Sequence, residues 1–370
     1  MGLFERARHS STRWSQRPMS FTTLAPSWQE LLAASVTTGA ELARYFPVDA
    51  VLVDQICRRY PMRINPYYLT LIEKPGDPIW RQAIPDPREL TDTVCPEDPL
   101  AEERLSPVAN LVHKYPDRAL LLVASQCAMY CRFCTRKRKV GTAALAVGRK
   151  RLEPALAYLA RTPTIHDVLL SGGDPLLLPD GELLWLLTEL RRIPHLEIIR
   201  LGSRVPCTLP QRITPRLTGV LKKFHPLYIN THFNHPLEIT PEAALACARL
   251  ADAGIPLGNQ TVLLKGINDD AATIKELMRG LLRIRVKPYY LFQGDLSRGT
   301  NHFRTPVAQG LAIMRELIGH TSGLATPTFA LDAPDGAGKI PLTPDYQQEL
   351  GPEGLRFISY DGRPCQYPNP

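Results

Sequence analysis

The chain has 370 residues, of which 44% are hydrophobic and 22% are charged, with a formal net charge of +8. This composition excludes an intrinsically disordered chain, and no uncharged apolar run is long enough to span a bilayer. The surplus of Lys and Arg is spread along the chain, so a small-molecule substrate ranks ahead of a nucleic-acid partner.

The N-terminal part predicts an appendage to a larger domain. Residues 1–22 are polar and Arg-rich and predict a loose basic end without the apolar stretch of a secretory signal. A helical pattern of apolar residues begins at Ser27 and continues to Leu42, and short proline-rich phrases follow between 60 and 110. We therefore expect residues 23–112 to form a helical and irregular wrap.

The middle of the chain alternates apolar runs of strand length with helical patterns. Six strand–helix pairs are predicted, at 118–125 and 149–160, 166–173 and 181–193, 196–203 and 215–223, 226–233 and 241–253, 256–264 and 271–283, and 287–295 and 306–319. Such repeats predict a parallel sheet buried on both faces, either doubly wound or an incomplete barrel. We assign residues 113–320 to this unit, and residues 321–370 to a C-terminal segment across its mouth.

Polar and glycine residues follow each predicted strand. They are Cys127, then 171–174, Ser203 and Arg204, 230–232, Asn259 and Gln260, and finally Gln293 and Asp295. Because parallel strands present their carboxyl ends at one edge of a sheet, we expect ligands to bind there.

The strongest motif is a C-x3-C-x2-C triplet formed by Cys127, Cys131 and Cys134. Three thiolates on one loop suit three corners of a cubane 4Fe-4S cluster, and the fourth iron is left for a substrate or cofactor. The alternative is a zinc site completed by Cys207 or a histidine. Clustered cysteines of either kind are typical of the reducing cytoplasm, where we expect this protein to be located.

The triplet after the first β/α strand resembles the radical S-adenosylmethionine (SAM) enzymes, whose fourth iron binds the amino and carboxylate groups of SAM. The resemblance implies a partial (β/α)6 barrel of the radical SAM type, with an N-terminal helical extension. The segment SGGDP at 171–175 resembles the family's glycine-rich motif. It implies that Gly172, Gly173 and Asp174 contact SAM, and we add Asn230, His232 and Gln260 as candidates for orienting it. A metal pair formed by His232 and His235 is the less favourable alternative.

A closer resemblance, over roughly residues 60–369, is to the lysine 2,3-aminomutases. The matching stretches, in family order, include NPYYLTLI, MYCRFCTRKR, LLSGGDPLLL, NTHFNHP, LGNQTVLLKGIND, PYYLFQGDLSRGTNHFRTP and LDAPDGAGKIPL. The resemblance implies an isomerase that moves the α-amino group of L-lysine to the β carbon through a 5′-deoxyadenosyl radical.

This family also uses pyridoxal 5′-phosphate. The resemblance implies that Lys339 binds the cofactor aldehyde and that Lys114, Tyr115 and Arg118 hold its phosphate. Two cations and a hydroxyl suit a dianionic phosphate. Tyr289 is a candidate for stacking on the ring. Without the family match, Lys339 would be interpreted as a surface lysine after a turn and Tyr289 as a core aromatic residue.

Three charged residues match the family's substrate contacts. Arg136 corresponds to the arginine that binds the substrate carboxylate, and Asp295 and Asp332 to the two aspartates that bind the side-chain ammonium. One such ion pair at ~4 Å contributes about 4 kcal/mol at an effective dielectric near 20, so we expect lysine to be preferred over glutamate. Interpreted singly, Asp295 suits a helix cap and Asp332 a turn.

The resemblance also implies a reducing electron donor of the flavodoxin or ferredoxin type. The chain departs from the clostridial pattern because it lacks the Cys-rich tail that binds zinc between subunits. We therefore expect a possible homo-oligomer without a zinc bridge. Phe292 stands where a tyrosine is usual, and Asp335 and Ala337 interrupt the glycine run before Lys339.

Three alternatives stay open from the sequence. The nearest is a lysine 2,3-aminomutase that serves the β-lysylation of elongation factor P. The second is a radical SAM enzyme that modifies nucleic acid, which would use the net charge of +8. The third is a non-enzymatic iron–sulfur or zinc module, which would bind metal without converting lysine.

Overall fold

The structure is a computed structural model that describes residues 26–370, so the predicted loose end at 1–22 lies outside the described residues. The α-helices are α1 (Trp28–Ala33), α2 (Gly39–Leu42), α3 (Ala50–Arg59), α4 (Pro66–Leu69), α5 (Pro78–Ala83), α6 (Arg149–Arg161), α7 (Asp180–Arg191), α8 (Val205–Thr208), α9 (Pro215–Leu221), α10 (Pro241–Asp252), α11 (Ala271–Arg283) and α12 (Val307–Leu317). The β-strands are β1 (Leu111–Tyr115), β2 (Arg118–Ala124), β3 (Asp167–Gly172), β4 (Ile198–Gly202), β5 (Leu227–Thr231), β6 (Leu257–Leu263), β7 (Lys287–Gln293), β8 (Thr328–Ala333), β9 (Gly338–Pro341), β10 (Gln347–Gly351), β11 (Gly354–Ile358) and β12 (Pro364–Pro368).

The main sheet has nine strands in sequence order, from β1 to β9. Strands β2 to β8 run parallel, while β1 and β9 pair antiparallel at the two edges. The six predicted strand–helix pairs are confirmed as β2–α6, β3–α7, β4–α9, β5–α10, β6–α11 and β7–α12. The fold is therefore a nearly closed α/β barrel, as expected.

The helices pack apolar stripes against the outer face of this sheet. In α11, Asp270 caps the first turn by accepting from the Thr273 amide, and Ile274, Leu277 and Leu281 are fully buried. Full burial of such a side chain contributes about 1.5–3 kcal/mol. On the inner face the strands are only half-buried, as the alternating pattern of β3 and β6 shows. The expectation of strands buried on both faces is therefore wrong for the inner face.

The pattern that begins at Ser27 forms two short helices instead of one continuous helix. Ser27 caps α1 with a capping box, but the chain leaves the helix at Ala34. Val36 then pairs with Ile64 in a β-bridge, and Thr38 caps α2. Val36 and Thr38 are β-branched residues, which lose side-chain freedom in a helix and fit extended structure better.

A seventh parallel strand, β8, extends the sheet beyond the last predicted pair and begins after position 320. Its antiparallel partner β9 places Asp332 directly opposite Lys339. The two edges of the sheet then meet through side chains, because the Lys339 amide donates to the Tyr115 hydroxyl at 3.0 Å. Lys114 Nζ also lies 3.6 Å from an Asp332 oxygen. These contacts bring β9 to β1.

The N-terminal wrap anchors the cysteine loop through a buried ionic cluster. Glu89 is fully buried and accepts from Arg132 Nε at 2.9 Å and from Lys137 Nζ at 2.8 Å. The Arg132 amide also donates to the Gln82 carbonyl, and the Tyr130 amide to the Arg63 carbonyl. The wrap therefore helps to fix the loop that carries the three cysteines.

The last three strands, β10 to β12, form a separate antiparallel sheet. Within the described part of the chain, none of the helices has the length and apolar character needed to cross a membrane.

Replacing Glu89 with Gln should strongly destabilise the fold. The substitution keeps the shape but leaves the buried Arg132 and Lys137 charges without their carboxylate, which typically costs about 3–5 kcal/mol. Glu97→Gln is the control, because Glu97 is about half-exposed and pairs with Arg59 and Arg298. Loss of the Glu97 charge should lower the free energy of unfolding by at most about 1 kcal/mol. Urea unfolding followed by circular dichroism measures both, and equal losses would contradict the role of the buried cluster.

Candidate active site

The glycine-rich segment packs directly against the chain that leads into the cysteine loop. The Gly173 amide donates to the Ala124 carbonyl at 2.6 Å, and the Asp174 amide to the Gln126 carbonyl at 2.8 Å. Gly172 has a φ of +119°, and a Cβ there would lie 2.4 Å from the Ala124 oxygen; a Cβ on Gly173 would lie 2.4 Å from the Gln126 oxygen. Only glycine permits this approach. In this structure the two glycines therefore position the cysteine loop.

The three cysteines lie on one half-buried loop after β2. Burial, with a contribution from the neighbouring Cys131, raises the pKa of Cys134 to about 11. Burial also raises the pKa of Cys127, with Cys131 and Cys134 adding to the effect. The thiols are thus close enough to affect one another's charge. Within residues 26–370, no group of three or more His, Cys, Asp or Glu side chains is arranged to hold a single metal ion. A cubane cluster binds each cysteine at a different iron, so its ligands need not converge on one point.

Arg204, which follows β4, contacts the cysteine loop and was not among the predicted site residues. Its Nη1 lies 2.8 Å from the Cys131 sulfur, and its Nη2 donates to Gln82 and Glu238, each at 2.6 Å. The guanidinium also lies over the Phe133 ring, 5.1 Å from its centroid. A cation held beside a ligand sulfur stabilises the negative charge of a thiolate-bound cluster. The sequence placed Arg204 at a strand end but gave no signal for this contact.

Asp174 makes contacts that differ from those expected of a residue that binds SAM. Its Oδ1 accepts from the Ser203 hydroxyl at 2.6 Å and from the Leu176 amide at 3.0 Å. Its Oδ2 accepts from the amides of Arg204 and Val205, at 2.7 and 3.1 Å. A carboxylate has about four lone-pair sites, and all are used here. In this structure Asp174 therefore holds the chain that carries Arg204.

Asn230, His232 and Gln260 lie on or beside the central strands β5 and β6. Asn230 pairs with Gly202 and Gly258 in the neighbouring strands, which leaves space beside it. Its Nδ2 is buried without a partner among the described residues, and such an unmade hydrogen bond costs about 1–3 kcal/mol. This orphaned donor is suited to a ligand acceptor. Gln260 is half-buried, in the alternation that leaves the inner face of β6 accessible.

His232 is a neutral ring with one nitrogen committed to the protein. Burial, together with the nearby Arg204, lowers the pKa of His232 to about 3. Its Nε2 lies 3.0 Å from Asn234 Oδ1, and that oxygen also accepts from the Val262 amide. Nε2 is therefore assigned as the donor, which leaves Nδ1 as an acceptor. His235 instead accepts from the Leu237 amide through Nδ1, so the two histidines have separate partners.

The region around Lys339 brings together four of the residues predicted to bind pyridoxal phosphate. Lys339 Nζ donates to both oxygens of Asp332, at 2.9 and 3.1 Å, and lies 5.1 Å from the Phe292 ring centroid. The Tyr115 hydroxyl accepts from the Lys339 amide, and Arg118 stacks on the Tyr115 ring at 3.8 Å. Lys114 points to Asp332 in this structure. A hydroxyl and three cations thus surround one end of the barrel.

Tyr289 lies at an irregularity in the pairing of β6 and β7. Asn259 pairs with Pro288 and Gln260 with Tyr290, so Tyr289 is an extra residue on β7. Its ring lies 4.2 Å from that of Tyr290, which in turn stacks on Phe292 at 4.7 Å. Tyr289 is 40% exposed, and burial of the rest of the side chain raises its pKa. A bulge of this kind redirects a side chain, and no local pattern in the sequence predicts it.

Asp332, one of the two predicted ammonium-binding carboxylates, affects the ionisation of the other, Asp295. Burial and the neighbouring Asp332 raise the pKa of Asp295 to about 7, while Lys339, Lys114 and Arg136 oppose the rise. The Asp332 side chain is only 10% exposed. Two acids in a low-dielectric site ionise together only when a cation lies between them. The pair therefore favours a ligand ammonium.

Arg136 is held by an acid that the sequence did not reveal. Its Nε donates to Glu102 Oε1 at 2.8 Å, its Nη2 forms an ion pair with the same oxygen at 2.6 Å, and its Nη1 donates to the Ser171 hydroxyl at 3.4 Å. Glu102 is 4% exposed. In the sequence it stands in an acidic stretch resembling a surface turn, and only its partner identifies it as part of the site.

Two family models match this chain, one over the part that contains the cysteine loop and one over the part that contains Lys339. Residues 121–278 match the model of the radical SAM superfamily, and residues 314–370 match the model named lysine-2,3-aminomutase. The chain is 48% identical over 349 residues to L-lysine 2,3-aminomutase of Clostridium subterminale, an alignment that covers 93% of this chain and 84% of that protein. It is 52% identical over 312 residues to L-lysine 2,3-aminomutase of Fusobacterium nucleatum, covering 84% and 73%. It is also 45% identical over 313 residues to glutamate 2,3-aminomutase of Clostridioides difficile, covering 84% and 74%.

Proposed function

The chain belongs to the lysine 2,3-aminomutase family of radical SAM enzymes, and from that premise we propose that it converts L-lysine to β-lysine. The observation that carries this proposal is the acidic pair Asp295 and Asp332, which lies beside Lys339 at one end of the barrel. A similar relative acts on glutamate, so family membership alone leaves the substrate open. The pair is suited to a side-chain ammonium and unfavourable for a side-chain carboxylate.

Asp332 already binds ammonium groups in this structure. Lys339 Nζ lies 2.9 Å and Lys114 Nζ 3.6 Å from its carboxylate. Once Lys339 Nζ is bound to the aldehyde of the cofactor, it would no longer offer an ammonium group to Asp332. The substrate's ε-ammonium is the natural replacement, with Asp295 as the second carboxylate.

Arg136 is proposed to bind the substrate carboxylate at the opposite end of the amino acid. It follows Cys134 by two positions, so the carboxylate is held near the cysteine loop while the ammonium is held near Asp332. A guanidinium fork matches a carboxylate in a bidentate arrangement. Arg136 at one end and the two carboxylates at the other would orient the carbon chain of the substrate between them. Binding energy is then used to position the reacting atoms.

Membership of the radical SAM superfamily implies a 4Fe-4S cluster and SAM, for which we propose Cys127, Cys131 and Cys134 as the cluster ligands. Asn230, His232 and Gln260 are proposed to orient SAM, supported by the orphaned Asn230 donor and the free acceptor of His232. Gly172, Gly173 and Asp174 are proposed to contact SAM, and in this structure they also hold the cysteine loop and the chain that carries Arg204 in place. When bound, the cluster would supply the electron that converts SAM to its radical, and these residues would orient SAM in a dry site.

Pyridoxal phosphate is proposed as the third cofactor, with Lys339 on its aldehyde. When bound, it would supply a conjugated π system that stabilises the substrate radical while the amino nitrogen moves from the α to the β carbon. Tyr115 and Arg118 lie together beside Lys339 and are proposed to bind the phosphate, with Lys114 joining them once it leaves Asp332. Tyr289 is proposed to stack on the ring.

Two partners complete the proposal. The radical reaction needs a low-potential reductant, and we propose an electron-transfer protein of the flavodoxin or ferredoxin type. We propose that both proteins are located in the reducing cytoplasm. The second proposed partner is another copy of this chain, in a homo-oligomer.

Anaerobically reconstituted protein should form β-lysine from L-lysine when it is supplied with SAM, pyridoxal phosphate and a reductant. Lys339→Ala should lose both the visible absorbance of lysine-bound pyridoxal phosphate and turnover, because no amine remains to bind the aldehyde. Lys223→Ala, at an exposed lysine beyond α9, is the control and should keep both. Wild-type protein with an intact cluster that makes no β-lysine would refute the proposed function.

Lysine use should decline below about pH 7, where Asp295 becomes protonated. The pKa of Asp295 is raised, so its carboxylate is charged above this pH and available for the ammonium, and kcat/KM should fall by up to roughly tenfold per pH unit below it. Asp295→Asn should have a low kcat/KM above pH 7 and should not show the fall in kcat/KM below that pH. Asp335→Asn, at an exposed turn residue, should keep the wild-type profile. An unchanged profile in Asp295→Asn would show that another group titrates.

A further inference from the structure

An acidic segment of the N-terminal wrap, residues 98–105, is clamped onto the chain that follows the cysteines. Arg138 lies 3.0 Å from Asp98 and 2.8 Å from Glu103, and Lys139 lies 2.6 Å from Glu103. The segment also reaches the cofactor-lysine turn, because Arg104 Nη2 donates to the Asp335 carbonyl at 2.6 Å. One short segment thus contacts both the arginine end and the lysine end of the site.

Glu102 makes a different kind of contact from the rest of this segment. Glu103 is 52% exposed at its side chain, whereas the Glu102 side chain is 5% exposed. The hydrogen bond from Arg136 Nε and the ion pair with Nη2 both involve a single oxygen, Oε1. The other oxygen, Oε2, is buried without a hydrogen-bond partner among the described residues. This arrangement uses one edge of the guanidinium.

Counting donors shows what this leaves available. A guanidinium has five N–H groups, one on Nε and two on each terminal nitrogen. Glu102 Oε1 accepts from Nε and forms an ion pair with Nη2, and Ser171 accepts from Nη1. At least one N–H on each terminal nitrogen is therefore left over. A guanidinium that keeps donors on both terminal nitrogens can bind a second carboxylate in a bidentate arrangement.

We propose that Glu102 is a positioning residue that orients Arg136 so that its free fork faces the substrate carboxylate. The inference rests on the proposed function, in which Arg136 binds that carboxylate. Glu102 fixes a long side chain before the substrate arrives, so binding does not have to order it. The N-terminal wrap therefore contributes to substrate recognition as well as to the support of the cysteine loop.

The test compares Glu102 with its neighbour Glu103, which joins the same two stretches of chain but does not touch Arg136. Holoenzyme is prepared with cluster and pyridoxal phosphate but without SAM, so that ligand binding occurs without turnover. Binding of L-lysine and of L-lysinamide, which lacks the carboxylate charge, is followed by difference absorbance of the bound pyridoxal phosphate. The kcat and KM for L-lysine are then measured with SAM present.

Glu102→Ala should weaken L-lysine binding by about tenfold, as expected for the loss of a charge-assisted contact. Glu102→Gln keeps an acceptor oxygen and should restore part of the affinity. L-lysinamide binding should change by less than about twofold in both variants, since its amide does not use the fork. The same variants should raise the KM for L-lysine with little change in kcat. Glu103→Ala should resemble wild type in every measurement.

Each contrary result has its own meaning. Equal losses for L-lysine and L-lysinamide, or equal losses in the Glu102 and Glu103 variants, would show a purely structural role and overturn the inference. Unchanged or tighter L-lysine binding in Glu102→Ala would also overturn it, even if wild type responds to L-lysine normally. A wild type that does not respond to L-lysine at all would instead overturn the proposed function, and the inference with it.

Discussion

The site depends on the meeting of the two edges of the main sheet. Strand β9 reaches β1 through the Lys339 amide and the Tyr115 hydroxyl, 3.0 Å apart, and through Lys114 and Asp332. Without this closure, the proposed phosphate contacts would lie at one edge of a nine-stranded sheet and Lys339 at the other. Closing the sheet by side chains also explains how residues separated by more than 200 positions share one site.

The closed barrel contains opposing charges whose neutralisation governs what it binds. Lys339, Lys114 and Arg136 are balanced by Asp295, Asp332 and Glu102. Buried charges are tolerated when they are paired. When a cofactor or substrate binds one member of a charge pair, the other member must therefore find a new partner of opposite charge. A lysine substrate satisfies this condition, because it brings an ammonium to the acids and a carboxylate to the arginine.

The sequence predicted the parts of this structure that follow from local pattern. The six strand–helix pairs were recognisable because each apolar run and each helical stripe is a short-range signal. Strand β8 was missed because its apolar run is only three residues long and is followed by a turn. Contacts between distant segments, such as Arg204 with Cys131 or Glu102 with Arg136, depend on closure and leave no local signal. The four hydrogen bonds that Asp174 accepts from Ser203, Leu176, Arg204 and Val205 likewise had no local signal in the sequence.

The account's central claim is that the acidic pair selects a cationic side chain, and the most direct test compares two substrates. Reconstituted enzyme would be assayed for kcat/KM with L-lysine and with L-glutamate under identical conditions. The account predicts a preference for L-lysine of at least about a hundredfold, because glutamate would bring a third carboxylate beside Asp295 and Asp332. Comparable values, or a preference for L-glutamate, would contradict it.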